Sequence, residues 1–264
     1  MSNFFKISII LLISFGSLFS CKKKDDDVVV VDLKAENRKV LGASGEDILS
    51  ADAFTELRLE LVFTKTTRPS NQTIIALRDF LEQRVNKPDG VQIIPNLIPA
   101  PNTQPFTLDE IRDIEDDHRM QYTEDNSIAL YIFFANGSSI NDTDTSVTLG
   151  TAYQNTSIVI YSSTLVQFVG GPNNLSLSTL ETITTEHELG HLFSLVNLAN
   201  DDIHPIDHED PDNNKHCVIE DCLMYFQSSA TRAAITNRMS RRAQGGTPVF
   251  DGLCIADLQA KGGK

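Results

Sequence analysis

His187, Glu188 and His191 stand as H-E-x-x-H within Thr184-Thr185-Glu186-His187-Glu188-Leu189-Gly190-His191-Leu192-Phe193-Ser194-Leu195-Val196-Asn197-Leu198. The apolar residues around the motif recur at helical spacing. On a helix, residues four apart face the same way, one turn on. Two imidazole nitrogens held like that fill two corners of a zinc tetrahedron, at about 2.0–2.1 Å each. Glu188 neighbours the first of them and reaches a water held on the ion without binding the ion itself. That is where a metal hydrolase needs its general base. By composition the pattern arises by accident in roughly one chain of this size in a hundred, so it needs support from elsewhere. The competing reading is an amphipathic core helix with two satisfied histidines.

The support is His216-Cys217-Val218-Ile219-Glu220-Asp221-Cys222-Leu223-Met224-Tyr225. Together with the helix motif it resembles the metzincin metallopeptidases, whose zinc helix is followed by a third histidine and a methionine-bearing turn. It is most similar to the archaemetzincins, where the third ligand is followed by Cys, four residues, Cys, one residue and Met. His216, Cys217, Cys222 and Met224 keep that spacing. The resemblance implies a zinc centre of His187, His191 and His216, Glu188 as catalytic base, and Met224 as an apolar floor beneath the metal. Metzincins place a glycine and then a histidine where Ser194 and Asn197 stand here, and an amide oxygen is a poor zinc ligand. The third donor therefore follows an insertion running from about Leu198 to Lys215. His216 is favoured by its spacing to Cys217 and Met224. His208, flanked by carboxylates that would orient its ring, is a rival, and His204 is a more distant one. The acidic insertion offers calcium ligands in Asp207, Asp210 and Asp212, without the spacing of a known calcium loop. A gluzincin reading would nominate Glu209 or Glu220 as the third ligand, but Cys-x-Met is foreign to that class.

The resemblance also bears on the cysteines. In archaemetzincins the two around the Met-turn join a later Cys-x-x-Cys to hold a structural zinc. Here the later element is Cys254-Ile255-Ala256-Asp257, with an aspartate at the last position. Cys217, Cys222, Cys254 and Asp257 thus imply a second zinc, while outside the cytoplasm a disulfide, most simply Cys217 to Cys222, is the competing account. Asp251 is read as the cap of a last helix.

Residues 1–20 read as a signal peptide: Lys6, then an apolar run from Ile7 to Phe19, too short to span a membrane comfortably. Leu18-Phe19-Ser20-Cys21 resembles the lipobox of bacterial lipoproteins, which implies acylation of Cys21. Lys22-Lys23-Lys24-Asp25-Asp26-Asp27 resembles surface-export signals of Bacteroidetes lipoproteins. The whole layout is similar to the metalloprotease-like lipoproteins of that group. An outer-membrane lipoprotein, at the cell surface rather than the periplasmic face, is the expected location. Removing 20 residues from 264 leaves 244, enough for one domain of moderate size. Lys6 is the one charge lost, so the net charge goes from −14 to −15. With no tryptophan and few aromatics, this argues against nucleic acid and against electrostatic binding to anionic lipid.

Elements must position these residues. Leu57, Leu59, Leu61 and Phe63 alternate as a strand, and Ile74, Leu77, Leu81 and Val85 form a helix stripe. A short strand at Val91–Ile94 gives way to a proline-rich loop from Pro95 to Pro105. Thr107 with Glu110 forms a capping box opening an acidic helix to about Arg119. Ile128 to Ala135 reads as a strand buried on both faces. Two strands follow at Leu149–Tyr153 and Ser157–Tyr161, and a second capping box, Ser178 with Glu181, starts the H-E-x-x-H helix. Arg232 to Arg242 reads as a solvated amphipathic helix. The fold class is α/β (α+β), and the resemblance makes it a zincin domain: a mixed twisted sheet with an antiparallel edge strand, a long active-site helix, a Met-turn and a C-terminal helix. The expected domains are a signal peptide (1–20), a lipid-anchored tether (21–52) and a catalytic domain (53–264). The expected function is a monomeric zinc metalloendopeptidase acting on protein or peptide at the cell envelope. The alternative is a non-catalytic surface lipoprotein that keeps a metal for binding or stability.

Overall fold

The computed structural model describes residues 32, 34–102, 104–170, 175–199, 203–204, 207–225 and 248–264. The signal segment, Cys21, the charged block after it and the stretch Arg232–Arg242 lie outside them. Five strands form one sheet in the order β2-β1-β3-β5-β4. They are β1 (Glu56–Phe63), β2 (Gly90–Leu97), β3 (Ser127–Ala135), β4 (Gly150–Gln154) and β5 (Ser157–Tyr161). Pairing is parallel from β2 through β5, and β4 runs antiparallel to β5 along one edge. The helices are α1 (Gly45–Leu49), α2 (Asn71–Arg84), α3 (Leu108–His118), α4 (Ser162–Val166), α5 (Leu177–Leu192) and α6 (Gly252–Ala260). The expected mixed α/β architecture with an antiparallel edge is the one found.

β3 is central, and every residue in it is buried. Ile128, Leu130, Ile132 and Phe134 point into the core shared with Leu77 and Leu81 of α2, Leu180 and Leu189 of α5 and Leu258 of α6. Tyr131, Phe133 and Ala135 point the other way, into a second core with Val62, Phe106 and Ile111 of α3. Two covered faces explain why the run is apolar throughout instead of alternating. Each fully buried large apolar side chain contributes roughly 1.5–3 kcal/mol relative to exposure, so this strand anchors both layers.

The α3 capping box is as read: Glu110 N–H donates to Thr107 Oγ1 and Thr107 N–H to Glu110 Oε2. The second one is corrected. Ser176, not Ser178, caps α5 by accepting from Thr179 N–H. Glu181 is buried against α2, where its carboxylate accepts from the Thr73 hydroxyl at 2.8 Å. A glutamate facing a neighbouring helix is not available to its own N-terminus. The loop expected from Pro95 is also corrected, since β2 continues to Leu97. It is an edge strand, where a proline is tolerated.

The reading of 21–52 as tether does not hold from Asp32 on. Ile48 and Leu49 are fully buried. The buried Asn37 amide donates to Thr123 Oγ1 and Thr156 Oγ1. The ammonium of Lys87 ties the segment down by donating to the carbonyls of Asp47, Ser50 and Phe54.

Candidate metal centre

α5 runs under the sheet and is buried continuously from Glu186 to Leu192. Its last turns carry His187, Glu188 and His191. The helix stops at Phe193, and Ser194 takes the left-handed backbone (φ 59°), the conformation that favours glycine. Val196 and Asn197 follow with φ of 56° and 54°, and the chain turns away from the helix axis. The third ring arrives from beyond the insertion.

That ring is His216. The three histidine rings are 5.0 Å (His187–His191), 5.3 Å (His187–His216) and 5.0 Å (His191–His216) apart. One nitrogen from each lies within 4.8 Å of the others. The nitrogens of a tetrahedral zinc site are about 3.3 Å apart at zinc's bond lengths, so small rotations close the set. Two rings are oriented from behind. His187 Nδ1 is 2.8 Å from the Leu223 carbonyl, and His216 Nδ1 is 3.0 Å from that of Asn214. A carbonyl only accepts, so each Nδ1 carries the proton and each Nε2 offers a lone pair. Burial first, and then the proximity of His187, His216 and Lys215, holds His191 well below its ordinary pKa. Burial also lowers His216. His191 and His216 are thus held in the neutral form that ligation requires.

Glu188 lies beside them, nearly fully buried. Its Oε2 accepts from Ala152 N–H of β4 at 2.8 Å, and its Oε1 has no hydrogen-bond partner. Burial raises its carboxyl to about 8, against the opposing Ala152 bond. A cation beside it would favour the carboxylate and reverse that shift. An orphaned carboxylate oxygen next to three converging imidazoles fits a divalent metal and its water. Met224 is buried against α5 at Gly190, where a Cβ would lie 2.2 Å from the Met224 sulfur. Glycine there admits the methionine. Above it a groove runs along β4, lined by Leu41, Thr148, Gly150, Thr151, Lys215 and His216.

The rival histidines are elsewhere. His208 Nδ1 is 3.6 Å from Cys217 Sγ, and its Nε2 is 2.9 Å from Asp257 Oδ2. His204 is half-buried, with Nε2 3.0 Å from the Leu253 carbonyl. Glu209 accepts from Lys215 N–H. Asp207 and Asp210 accept from the backbone of Glu209 and Asp212 respectively, so their carboxylates serve local turns.

The competing Cys217–Cys222 disulfide is not formed: Cys217, Cys222 and Cys254 are buried thiols. Hydrogen bonds from Cys217 and then Cys254 pull the Cys222 thiol down to about 5, and both partners are pushed up in turn. Asp257 is not among the donors that meet at Cys217 and Cys254, which include His208 and Asp251. Asp251 caps α6 as read, accepting from Leu253 N–H at 2.7 Å.

Sequence reasoning missed the Ala152 N–H that holds Glu188 and the Leu41 wall of the groove. A backbone donor carries no residue signature, and Leu41 lies in the segment read as tether. No protein-family model and no curated protein matches the chain. Among solved structures it is similar to archaemetzincin from Methanopyrus kandleri, with a TM-score of 0.50 and 16% sequence identity, covering 78% of this chain and 96% of that one. At that identity the likeness shows the fold, and the fold is archaemetzincin-like.

Proposed function

We propose that the chain is a zinc-dependent metallopeptidase. The observation that carries the reading is the meeting of His187, His191 and His216 beside a buried glutamate with one unsatisfied oxygen. The three imidazoles would hold the ion and leave one position open, as a catalytic zinc site does. When bound, zinc supplies the positive charge that acidifies water and polarises a peptide carbonyl.

The chain's own residues do the rest. Ala152 N–H fixes Glu188 through Oε2, so Oε1 is the oxygen that takes a proton from the attacking water and passes it to the departing amine. β4 is the outermost strand on that side, whereas β5 is paired on both edges. An extended peptide adds alongside β4, in the groove over the histidines. The substrate is a protein or peptide. A lipid anchor at Cys21 and an outer-membrane, surface-facing location remain part of this proposal on the sequence signals alone.

Peptide-library cleavage with and without chelator, on wild type and Glu188→Gln, tests it. Chelator-sensitive cleavage that vanishes in Glu188→Gln while zinc stays bound supports the mechanism. Full activity in that variant sinks it. Metal binding without any cleavage hands the chain to the alternative, a non-catalytic metal-binding surface lipoprotein.

A further inference from the structure

The residue before the third histidine is a lysine, and its backbone is held in an unusual conformation. Lys215 has φ of 68°, the left-handed region that favours glycine. A long side chain kept there costs free energy, and such residues collect at ligand-binding positions. Contacts on both sides fix it. Lys215 N–H donates to Glu209 Oε1, and the carbonyl of Asn214, just before it, accepts from His216 Nδ1–H at 3.0 Å. Just after it, the His216 carbonyl accepts from Asp210 N–H at 2.7 Å. The stem of Lys215 is therefore rooted in the same backbone that delivers the third ring.

Lys215 lines the groove over the histidines and is exposed, whereas Glu188 in the same groove is nearly fully buried. Among the described residues of that lining, Lys215 is the one lysine or arginine, and Leu41, Thr148, Gly150 and Thr151 bring no charge. Its ammonium makes no hydrogen bond or ion pair with any described residue. The acidic side chains close to it in sequence are engaged in local turns: Glu209 accepts the Lys215 amide, and Asp210 accepts from Asp212 N–H and the Asn213 amide. The charge of Lys215 still reaches the centre, where it is one of the causes that lower His191.

Opposite charges thus divide the groove. Glu188 repels an anion from the buried end, and Lys215 attracts one at the open rim. A chain of net charge −14 repels acidic peptides over most of its surface, so a cation beside the reacting atoms sets a local preference. An ammonium reads a point charge. The point anions of a peptide are its aspartate and glutamate side chains and its terminal carboxylate.

We propose that Lys215 is a specificity-determining residue that pairs with a substrate carboxylate, so that the peptides this groove prefers carry an aspartate, a glutamate or a free C-terminus close to the scissile bond. The inference rests on the peptidase reading and deepens it by naming a substrate class.

Matched fluorescent octapeptides test it, identical but for Glu or Gln at one position and a free or amidated C-terminus. Binding is read by anisotropy on the full chain carrying Glu188→Gln, and cleavage on the chain with Glu188 intact. Carboxylate peptides should bind, and be cleaved, about tenfold better than their amide partners, the worth of a charge-assisted hydrogen bond in a partly exposed groove. Lys215→Met should erase that ratio, and Lys215→Arg should keep it. Raising the ionic strength from about 0.15 M to 1 M shortens the screening length from about 8 to 3 Å and should shrink it. A ratio that follows Glu along the peptide assigns the carboxylate to a side chain; one that needs the free C-terminus assigns it to the chain end. Both uphold the pairing. A ratio that survives Lys215→Met overturns it. So does an equal loss of kcat on both members of a pair, which would put Lys215 on the reacting oxygen instead. Cleavage without any ratio ends this proposal and leaves the peptidase reading standing. A Lys215-dependent ratio in binding, with no peptide cleaved, ends the peptidase reading and keeps the carboxylate site.

Discussion

His208 and His216 lie on the two arms of one short hairpin, in which Glu209 pairs with Cys217, and their rings join different neighbourhoods. His216 meets two histidines on a helix, beneath a groove and next to a carboxylate with an unsatisfied oxygen. His208 meets sulfur in a closed pocket, with its second nitrogen already held. The first centre has three protein donors and room for a fourth, non-protein one. The second is a buried set of four protein donors, His208, Cys217, Asp251 and Cys254. Zinc sites that do chemistry and zinc sites that hold structure differ in this way. His216 and Cys217 are successive, so one hairpin serves both centres.

The largest expected effect falls on the open centre. Glu188→Gln should lower kcat by about 10²–10⁴-fold, the usual contribution of a general base, with metal binding retained by direct counting. Loss of a metal in that variant would mean that Glu188 is a ligand and that the two centres differ less than proposed.

Gly190→Ala tests the packing of Met224 against α5. The new Cβ meets the Met224 sulfur at 2.2 Å, and overpacking of this kind costs about 1–3 kcal/mol. A thermal melt should show that loss together with weaker metal binding at the histidine centre. An unchanged melting temperature would show that Met224 moves aside freely and fixes nothing.

Asp251→Ala should cost about 0.5–2 kcal/mol through the lost α6 cap. It should disturb the thiolate centre and leave the histidine centre alone, as cobalt spectra of the two would reveal. An equal effect on both would join what the comparison separates.

The smallest effect is one of pH. Burial raises the Glu186 carboxyl from 4.5 to about 8, with Arg84 opposing. A raised folded-state pKa means that the folded protein holds a proton that the unfolded chain releases. This group's contribution is full below about pH 4.5 and is lost as pH rises through about 8. Metal-free Glu186→Gln should therefore match wild type near pH 4 and melt higher than wild type near pH 8. Parallel melting curves across that range would refute the assignment.

How much of this was legible depends on how local each signal is. The period-2 pattern of β1, the apolar run of β3, the Thr107 box and the Asp251 cap are written within a few residues, and the structure has them all. Glu181 shows where locality fails. Its spacing from Ser178 fits a cap, but packing against α2 put a better partner, Thr73, within reach. The segment 32–52 reads as tether because its apolar residues have no clear period, and it is buried because they fill gaps left by larger elements.

By itself the sequence determined that two histidines and a glutamate share one helical turn, since 3.6 residues per turn makes that pairing unavoidable once the helix forms. It also determined the Cys-x4-Cys-x-Met run that flanks a third histidine. Only the tertiary structure decided which histidine joins which centre. The insertion reverses direction without a periodic pattern, and His208, His216 and Asp257 are brought together or kept apart by hairpin pairing and by the docking of α6. Those contacts span tens of residues, and no local spacing encodes them.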